Sequence, residues 1–245
     1  MAQQFYVSPE QIMKDRADFA RKGIARGRSV VVISFLGGIA LVAENPSPTL
    51  HKIGEIYDRI GFAAVGKYNE FESLRQAGVR YADVRGYSYD RADVSARGLA
   101  SVYAQSLGTV FTAEQKPFEV ELAVAEVGAS QNADHIFRLT FDGSIADESG
   151  YLAMGGRAEL VQQKLADSWA PGADLAQTLA WAVAALQAPR LEAANGSGQA
   201  ELLGAGSLEV AILERDAHEV RGTHRAFRRL DTAAVEQILT TNGRG

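Results

Sequence analysis

The chain contains no cysteine, which removes several kinds of covalent and metal chemistry. It therefore has no thiolate zinc site, iron–sulfur ligation, disulfide scaffold or cysteine nucleophile. The four histidines, His51, His135, His218 and His224, do not stand at the spacings of metal ligands. No serine lies in a Gly-x-Ser-x-Gly elbow. We therefore predict no metal and no cofactor.

One stretch, Gly61 to Lys67, matches the spacing of a phosphate-binding loop. The four residues between its outer glycines are apolar and typical of a strand, and Tyr68 stands where a serine or threonine would ligate magnesium. A nucleotide-dependent enzyme is the alternative that this stretch leaves open. We favour a buried strand instead.

The composition of the chain excludes several further classes of function. The chain has 245 residues, 47% of them hydrophobic, which is enough to bury one sizeable core and excludes bulk disorder. A formal net charge of −5 gives no global positive field for nucleic acid or an anionic membrane. No apolar run approaches the ~20 residues of a membrane helix, and the N-terminus lacks the apolar centre of a secretion signal. We expect a cytoplasmic protein that binds neither nucleic acid nor membrane.

The first element that must position any site is an N-terminal helix over residues 8–27. Ser8 is its expected N-cap, Pro9 its first helical residue, and Gln11 the return partner of a capping box. The preceding segment, Met1 to Val7, has no such signals and is expected to be free.

The remaining elements follow the order four strands, two helices, strands, two helices, two strands and a helix. Runs of strands before runs of helices argue against βαβ units and favour two antiparallel sheets with paired helices outside them. Gly37 and Gly38 predict a hairpin between the first two strands, and Asn69 with Glu72 predicts a helix cap. Residues 187–206 are expected to form a loose loop. We find no boundary that divides residues 1–245 into two domains.

Specific motifs occur over most of the chain, from Tyr6 to Leu239. They are Ser8-Pro9-Glu10-Gln11, Ala20 to Arg26, Phe35-Leu36-Gly37-Gly38 through Ala43-Glu44-Asn45-Pro46, Lys52 through Tyr57-Asp58-Arg59, Gly66 to Phe71, Arg85-Gly86-Tyr87, Tyr103 to Thr109, and Asp142-Gly143-Ser144. Taken together these motifs resemble those of the proteasome subunit family, and they look like a bacterial α-subunit of the actinobacterial type. The resemblance implies an α+β fold, a four-layer αββα sandwich of the N-terminal-nucleophile hydrolase class with an extra N-terminal helix.

The resemblance also indicates where catalytic groups would stand. Catalytic β-subunits of this family are cleaved so that a threonine becomes the N-terminus and its own amine activates the hydroxyl. Matching the hairpin to that pattern puts Arg28 at the threonine position, Glu44 at the supporting acid and Lys52 at the supporting lysine. A guanidinium is not a nucleophile, so we predict no catalytic residue in this chain.

The alternative is a self-processing N-terminal-nucleophile hydrolase, a β-type peptidase cleaved ahead of Ser29. Ser29 is one residue out of register with the threonine position. Since side chains alternate along a strand, it would point to the opposite face. Intact mass separates the two cases.

The resemblance implies three partners. They are other copies of this chain in a seven-membered α-ring, β-subunits that carry out threonine-type proteolysis, and a ring-shaped AAA ATPase activator of the ARC/Mpa type that docks through its C-terminal tail. The implied docking residues are Lys52, Gly66 and Lys67, with Lys52 receiving the tail's carboxylate. The implied gate residues are Gln4, Phe5, Tyr6, Val7, Ser8 and Pro9. Archaeal and eukaryotic α-subunits carry a Tyr-Asp-Arg run there, which this chain lacks.

The apolar stripe of the N-terminal helix carries a further expectation about assembly. Met13, Ala17, Ala20 and Ile24 recur at helical spacing. We expect part of this stripe, with Ala20 as the test position, to pack on a neighbouring protomer.

Overall fold

The computed structural model describes residues 8–194, 202–217, 219–220 and 223–242. Within these ranges the helices are α1 (Pro9–Ala25), α2 (Tyr68–Ser88), α3 (Ala96–Ala113), α4 (Ala158–Ser168), α5 (Leu175–Ala194) and α6 (Thr232–Asn242). The strands are β1 (Val30–Phe35), β2 (Gly38–Glu44), β3 (Ile53–Tyr57), β4 (Ile60–Gly66), β5 (Val120–Glu126), β6 (His135–Leu139), β7 (Ile145–Glu148), β8 (Tyr151–Met154), β9 (Leu208–Glu214), β10 (Glu219–Val220), β11 (Thr223–His224) and β12 (Phe227–Leu230).

Two five-stranded sheets form the centre of the molecule. Sheet A has the strand order β12-β9-β2-β1-β8, and sheet B has the order β3-β4-β5-β6-β7. Every pairing in both sheets is antiparallel. Strands β10 and β11 form a separate two-stranded ribbon.

Three apolar clusters define four layers. The first lies between the two sheets, the second between sheet B and helices α2 and α3, and the third between sheet A and helices α4, α5 and α6. Because both faces of the central strands are covered, all six residues of β1 are buried. The predicted four-layer αββα sandwich is confirmed, and α1 adds Ala20 and Ile24 to the cluster between the sheets.

The predicted hairpin joins β1 to β2 through a two-residue loop, with Phe35 opposite Gly38. Gly38 has φ +151°, a conformation that side chains rarely adopt. A Cβ there would lie 1.9 Å from the carbonyl oxygen of Leu213, on the neighbouring strand β9. Glycine is therefore required by both the backbone and the packing.

Helix α1 begins as predicted but is capped on one side only. The Ser8 Oγ accepts a hydrogen bond from the Gln11 backbone N–H at 3.2 Å, and Pro9 is the first helical residue. The expected return bond of the capping box was wrong, because the Gln11 side chain donates to Asp15 Oδ1 at 2.7 Å, one helical turn ahead.

The loose loop expected over residues 187–206 was wrong in its first part, because α5 continues to Ala194 despite Pro189. Side-chain anchors fix this end of the helix. Arg190 bonds to Glu44 at 2.6 Å, and Arg157 donates to the carbonyl of Pro189 at 3.2 Å. The helix thus continues past the proline, which itself donates no backbone hydrogen bond. Residues 195–201 lie outside the described ranges.

Candidate functional site

Arg28, Glu44 and Lys52 meet at one end of the two sheets. Arg28 lies between α1 and β1, Glu44 ends β2, and Lys52 directly precedes β3. The Lys52 ammonium donates to the carbonyl oxygen of Arg28 at 2.8 Å, and the Arg28 Nε lies 3.3 Å from Glu44 Oε1. These are the three positions that the family pattern pairs, and the structure brings them into contact.

Glu209 is a member of this site that the sequence did not reveal. It lies on β9 opposite Ala43 and is 8% exposed. Its Oε2 accepts from the Lys52 backbone N–H at 2.9 Å, and its Oε1 accepts from the Ile53 N–H at 3.3 Å. The one available signal was an acid at the second position of a strand that is apolar between Glu209 and Glu214. We call Arg28, Glu44, Lys52 and Glu209 the linker cluster.

The environment of Lys52 changes its protonation. Burial lowers the pKa of its ammonium from 10.5 to about 8. The nearby carboxylates of Glu44 and Glu209 act in the opposite direction, while Arg28 lowers the pKa further. Glu44 is itself shared between Arg28 and Arg190. Near pH 8 the amine therefore exists in both charged and neutral forms.

Gly66 borders the same segment, and the ammonium of the following residue, Lys67, lies near Glu119. A Cβ on Gly27 would lie 3.3 Å from the backbone nitrogen of Gly66, so this strand end packs directly beside the residue that precedes Arg28. The Lys67 ammonium lies 3.9 Å from Glu119 Oε1 and is half exposed. Lys116 pairs with the same carboxylate at 2.9 Å. Lys52 and Gly66 thus both lie against the Gly27–Arg28 linker, and the Lys67 ammonium pairs with Glu119.

Comparison with known proteins decides the family. A family model described as "Proteasome subunit" matches residues 24–202, which is well over half of the chain. The chain belongs to the proteasome subunit family. It is 69% identical over 245 residues to "Proteasome subunit alpha" of Renibacterium salmoninarum, covering 100% of this chain and 98% of that protein. Proteins of the same name from Paenarthrobacter aurescens (67% over 240 residues; 98% and 99% covered) and Xylanimonas cellulosilytica (60% over 246 residues; 100% and 97% covered) are also similar.

Arg28 is the residue that the resemblance matches to the threonine of the family's peptidases. Arg28 follows α1 and Gly27, and it has neither a hydroxyl nor a thiol. Ser29, the alternative nucleophile, has its backbone engaged at the start of the β1–β2 ladder, where its carbonyl accepts from the Glu44 N–H at 3.1 Å. Glu44 and Lys52 therefore lie around a guanidinium, a group without a nucleophilic oxygen or sulfur.

The gate residues that the sequence suggested divide into two sets. Gln4, Phe5, Tyr6 and Val7 lie outside the described residues. Ser8 and Pro9 are exposed and form the first turn of α1. The segment before them is thus attached to a capped helix.

The other sequence motifs either form part of the fold or have no role that the described residues show. Gly61 to Lys67, the phosphate-loop match, contributes all but its last residue to β4, which pairs with β3 and β5. Among the described residues no group of three or more His, Asp or Glu could hold a metal ion. His218 lies outside these residues. Of the helices in the described ranges, none combines the length and hydropathy that a membrane span requires.

Proposed function

We propose that this chain is a non-catalytic α-type subunit of a proteasome core that degrades proteins in the cytoplasm. Seven copies form an outer ring on a ring of β-subunits, and the β-subunits supply the threonine nucleophile. The observation that carries the proposal is Arg28: the reacting position of the family's peptidases holds a guanidinium that is bonded to Glu44 and preceded by a folded helix. The full-length similarity to proteins named as α-subunits supports it.

In this proposal the α-ring has two roles, which are gating the axial pore and docking the activator. Residues Met1 to Val7, attached to the stiff start of α1, obstruct the axial pore with Phe5, Tyr6 and Val7. Lys52 receives the terminal carboxylate of a ring-shaped AAA ATPase activator, and Gly66 and Lys67 border the same pocket. The position of Lys52 beside the Gly27–Arg28 linker supports the second duty, because tail binding there would contact the segment that ends α1.

The proposal is tested by assembling the chain with a β-subunit that lacks its catalytic threonine. The chain is co-expressed with its cognate β-subunit, once with the wild-type β-subunit and once with its N-terminal threonine changed to alanine. We expect the two chains to co-purify in both cases, and the intact mass of this chain should include α1. Peptide hydrolysis should occur only in the particle that contains the wild-type β-subunit. Hydrolysis by the threonine-free particle that is lost on Ser29→Ala would instead establish the self-processing hydrolase.

The docking duty is tested by Lys52→Ala in assembled particles. Assembly and unstimulated peptide hydrolysis should equal those of wild type, because neither uses the ammonium. ATPase-stimulated protein degradation should fall by tenfold or more, since a charge-assisted bond contributes about 1.5–3 kcal/mol and several tails dock at once. Equal stimulation of both particles would remove Lys52 from the docking site.

A further inference from the structure

We propose that Glu209 is the positioning residue for Lys52: it holds the lysine's backbone in place and keeps the ammonium available to an incoming carboxylate. The inference rests on the proposed docking role of Lys52. It adds a residue from the other sheet, 157 positions away in the chain, to that site.

The first argument is the backbone contact. Lys52 is the last residue before the edge strand β3, where the outward main-chain groups have no neighbouring strand to bond them. The Glu209 carboxylate takes that place by accepting the N–H groups of Lys52 and Ile53. Arg229, which is itself paired with Glu209, completes the edge by donating to the Ile53 carbonyl at 2.8 Å.

The second argument is that Glu209 is itself held. Asn45 donates to its Oε2 at 2.8 Å, and the same amide nitrogen bonds to the carbonyl of Leu50 at 2.7 Å. His51 Nδ1 lies 3.3 Å from Oε1. A carboxylate with this many partners has little freedom to move, so it transmits a fixed position to Lys52.

The third argument is charge. The charged groups around the Lys52 ammonium are Arg28 from the linker, Glu44 from β2 with its partner Arg190 from α5, and Glu209 from β9 with its partners Arg229 from β12 and His51. Of these, the two carboxylates favour the ammonium form. Removing the Glu209 charge should therefore lower the pH at which Lys52 loses its proton.

The test uses particles assembled with β-subunits and two probes: a peptide with the sequence of the activator's C-terminal tail, and the same peptide amidated at its C-terminus. Binding is measured by fluorescence anisotropy across the pH range around 8. In wild type the carboxylate peptide should bind more tightly than the amidated one, and the difference should vanish as pH rises through about 8.

In Glu209→Gln particles the difference should vanish at lower pH. If the midpoint falls by about one unit, carboxylate binding at pH 8 should weaken roughly fivefold, because the charged fraction of Lys52 falls from about one half to about one tenth. Glu214→Gln is the matched control. It removes the same charge from the other end of β9, where Glu214 pairs with Arg228, and it should match wild type. Glu209→Asp retains the charge but withdraws it from the backbone, so affinity should fall while the midpoint stays.

Each outcome decides between the two proposals. If Lys52→Ala particles prefer the carboxylate peptide as wild type does, the docking role of Lys52 fails. If Lys52→Ala loses that preference while Glu209→Gln keeps both the affinity and the midpoint of wild type, docking stands and the positioning role is overturned. Failure of both Glu209 variants to assemble would assign Glu209 a structural role only, and it would equally overturn the inference.

Discussion

Lys52 is a lysine whose burial costs stability while it is charged. Its ammonium retains one main-chain acceptor, the Arg28 carbonyl, and a share of two carboxylates. These contacts do not fully replace water, since the pKa falls to about 8. A half-buried lysine of this kind fits a site that must bind a carboxylate, because a new negative partner relieves the same cost.

Replacing Lys52 with methionine should remove a pH dependence of stability. The folded chain releases the Lys52 proton near pH 8, whereas the unfolded chain holds it to about 10.5. Between these values the unfolded state binds more protons, so the free energy of unfolding of wild type rises with pH relative to Lys52→Met. Urea denaturation of the unassembled chains at about pH 7 and about pH 9.5 measures the change. A difference that is constant with pH would contradict the lowered pKa.

At the scale of elements, α1 has both a buried and an exposed apolar face. Ala20 is fully buried between the sheets, so its use as an interface position was wrong: an aspartate there would disrupt this chain's own core. Ile12, Met13 and Phe19 are the large apolar residues of α1 that remain exposed, at 41%, 37% and 47%. The stripe predicted to meet a neighbouring protomer is better represented by these three.

Ile12→Gln should weaken assembly without weakening the fold. Ile12 is exposed in the single chain, and glutamine keeps the helix propensity close to that of isoleucine. If a neighbouring protomer covers this residue, each interface loses the burial of one side chain, about 1.5–3 kcal/mol. Native mass spectrometry with β-subunits should show fewer complete particles. The control is Lys14→Gln, an exposed position about 200° around the helix from Ile12. Equal assembly of both variants would place the interface elsewhere.

Deleting Met1 to Val7 should open the particle without harming it. The deletion leaves the Ser8 cap and the Pro9 start of α1 in place, so fold and assembly should persist. Peptide hydrolysis should rise because the β-sites are unchanged and the obstruction is removed. A full-length variant with Phe5, Tyr6 and Val7 changed to serine shows whether the size of these side chains or the length of the segment causes the obstruction. Equal hydrolysis by truncated and wild-type particles would refute the gate.

At the scale of the whole molecule, two buried carboxylates, Glu209 and Asp134, join the two sheets at opposite ends of β1. The linker cluster lies before Val30, where Glu209 of sheet A holds the start of β3 in sheet B. Beyond Phe35, Arg215 follows β9 and pairs with Asp134, which precedes β6, at 2.7 Å. Both of these side chains are less than one-tenth exposed. The sandwich is thus fixed at its ends by charge and in its middle by apolar packing.

Asp134→Asn should destabilise the fold strongly. The carboxylate accepts from both terminal nitrogens of Arg215, from Ser34 Oγ at 2.7 Å and from the Gly128 N–H at 2.9 Å. Its loss leaves a buried guanidinium unpaired, at a cost of about 3–5 kcal/mol. Urea denaturation measures this against Asp18→Asn, whose exposed pair with Arg21 contributes no more than about 1 kcal/mol. Similar small losses in both variants would show that the pair does not join the sheets.

The sequence by itself determined the features that depend on neighbouring residues or on the order of elements. The Ser8 cap and the Pro9 start are local, and Gly38 is required by a turn only two residues long. The succession of strand runs and helix runs was sufficient for two antiparallel sheets between helices. The family pattern placed Arg28, Glu44 and Lys52 at corresponding positions before their contact was known.

Tertiary structure decided what depends on distant partners. Strand β7 was missed because none of its four residues is buried, so no alternation marks it. The expected Asn69 cap was wrong because α2 begins at Tyr68, and Glu72 bonds to Arg75 instead. Glu209 looks like any acid in a strand until β9 is placed beside the start of β3. A buried carboxylate acquires its role from the donors that surround it, and no spacing along the chain encodes those donors.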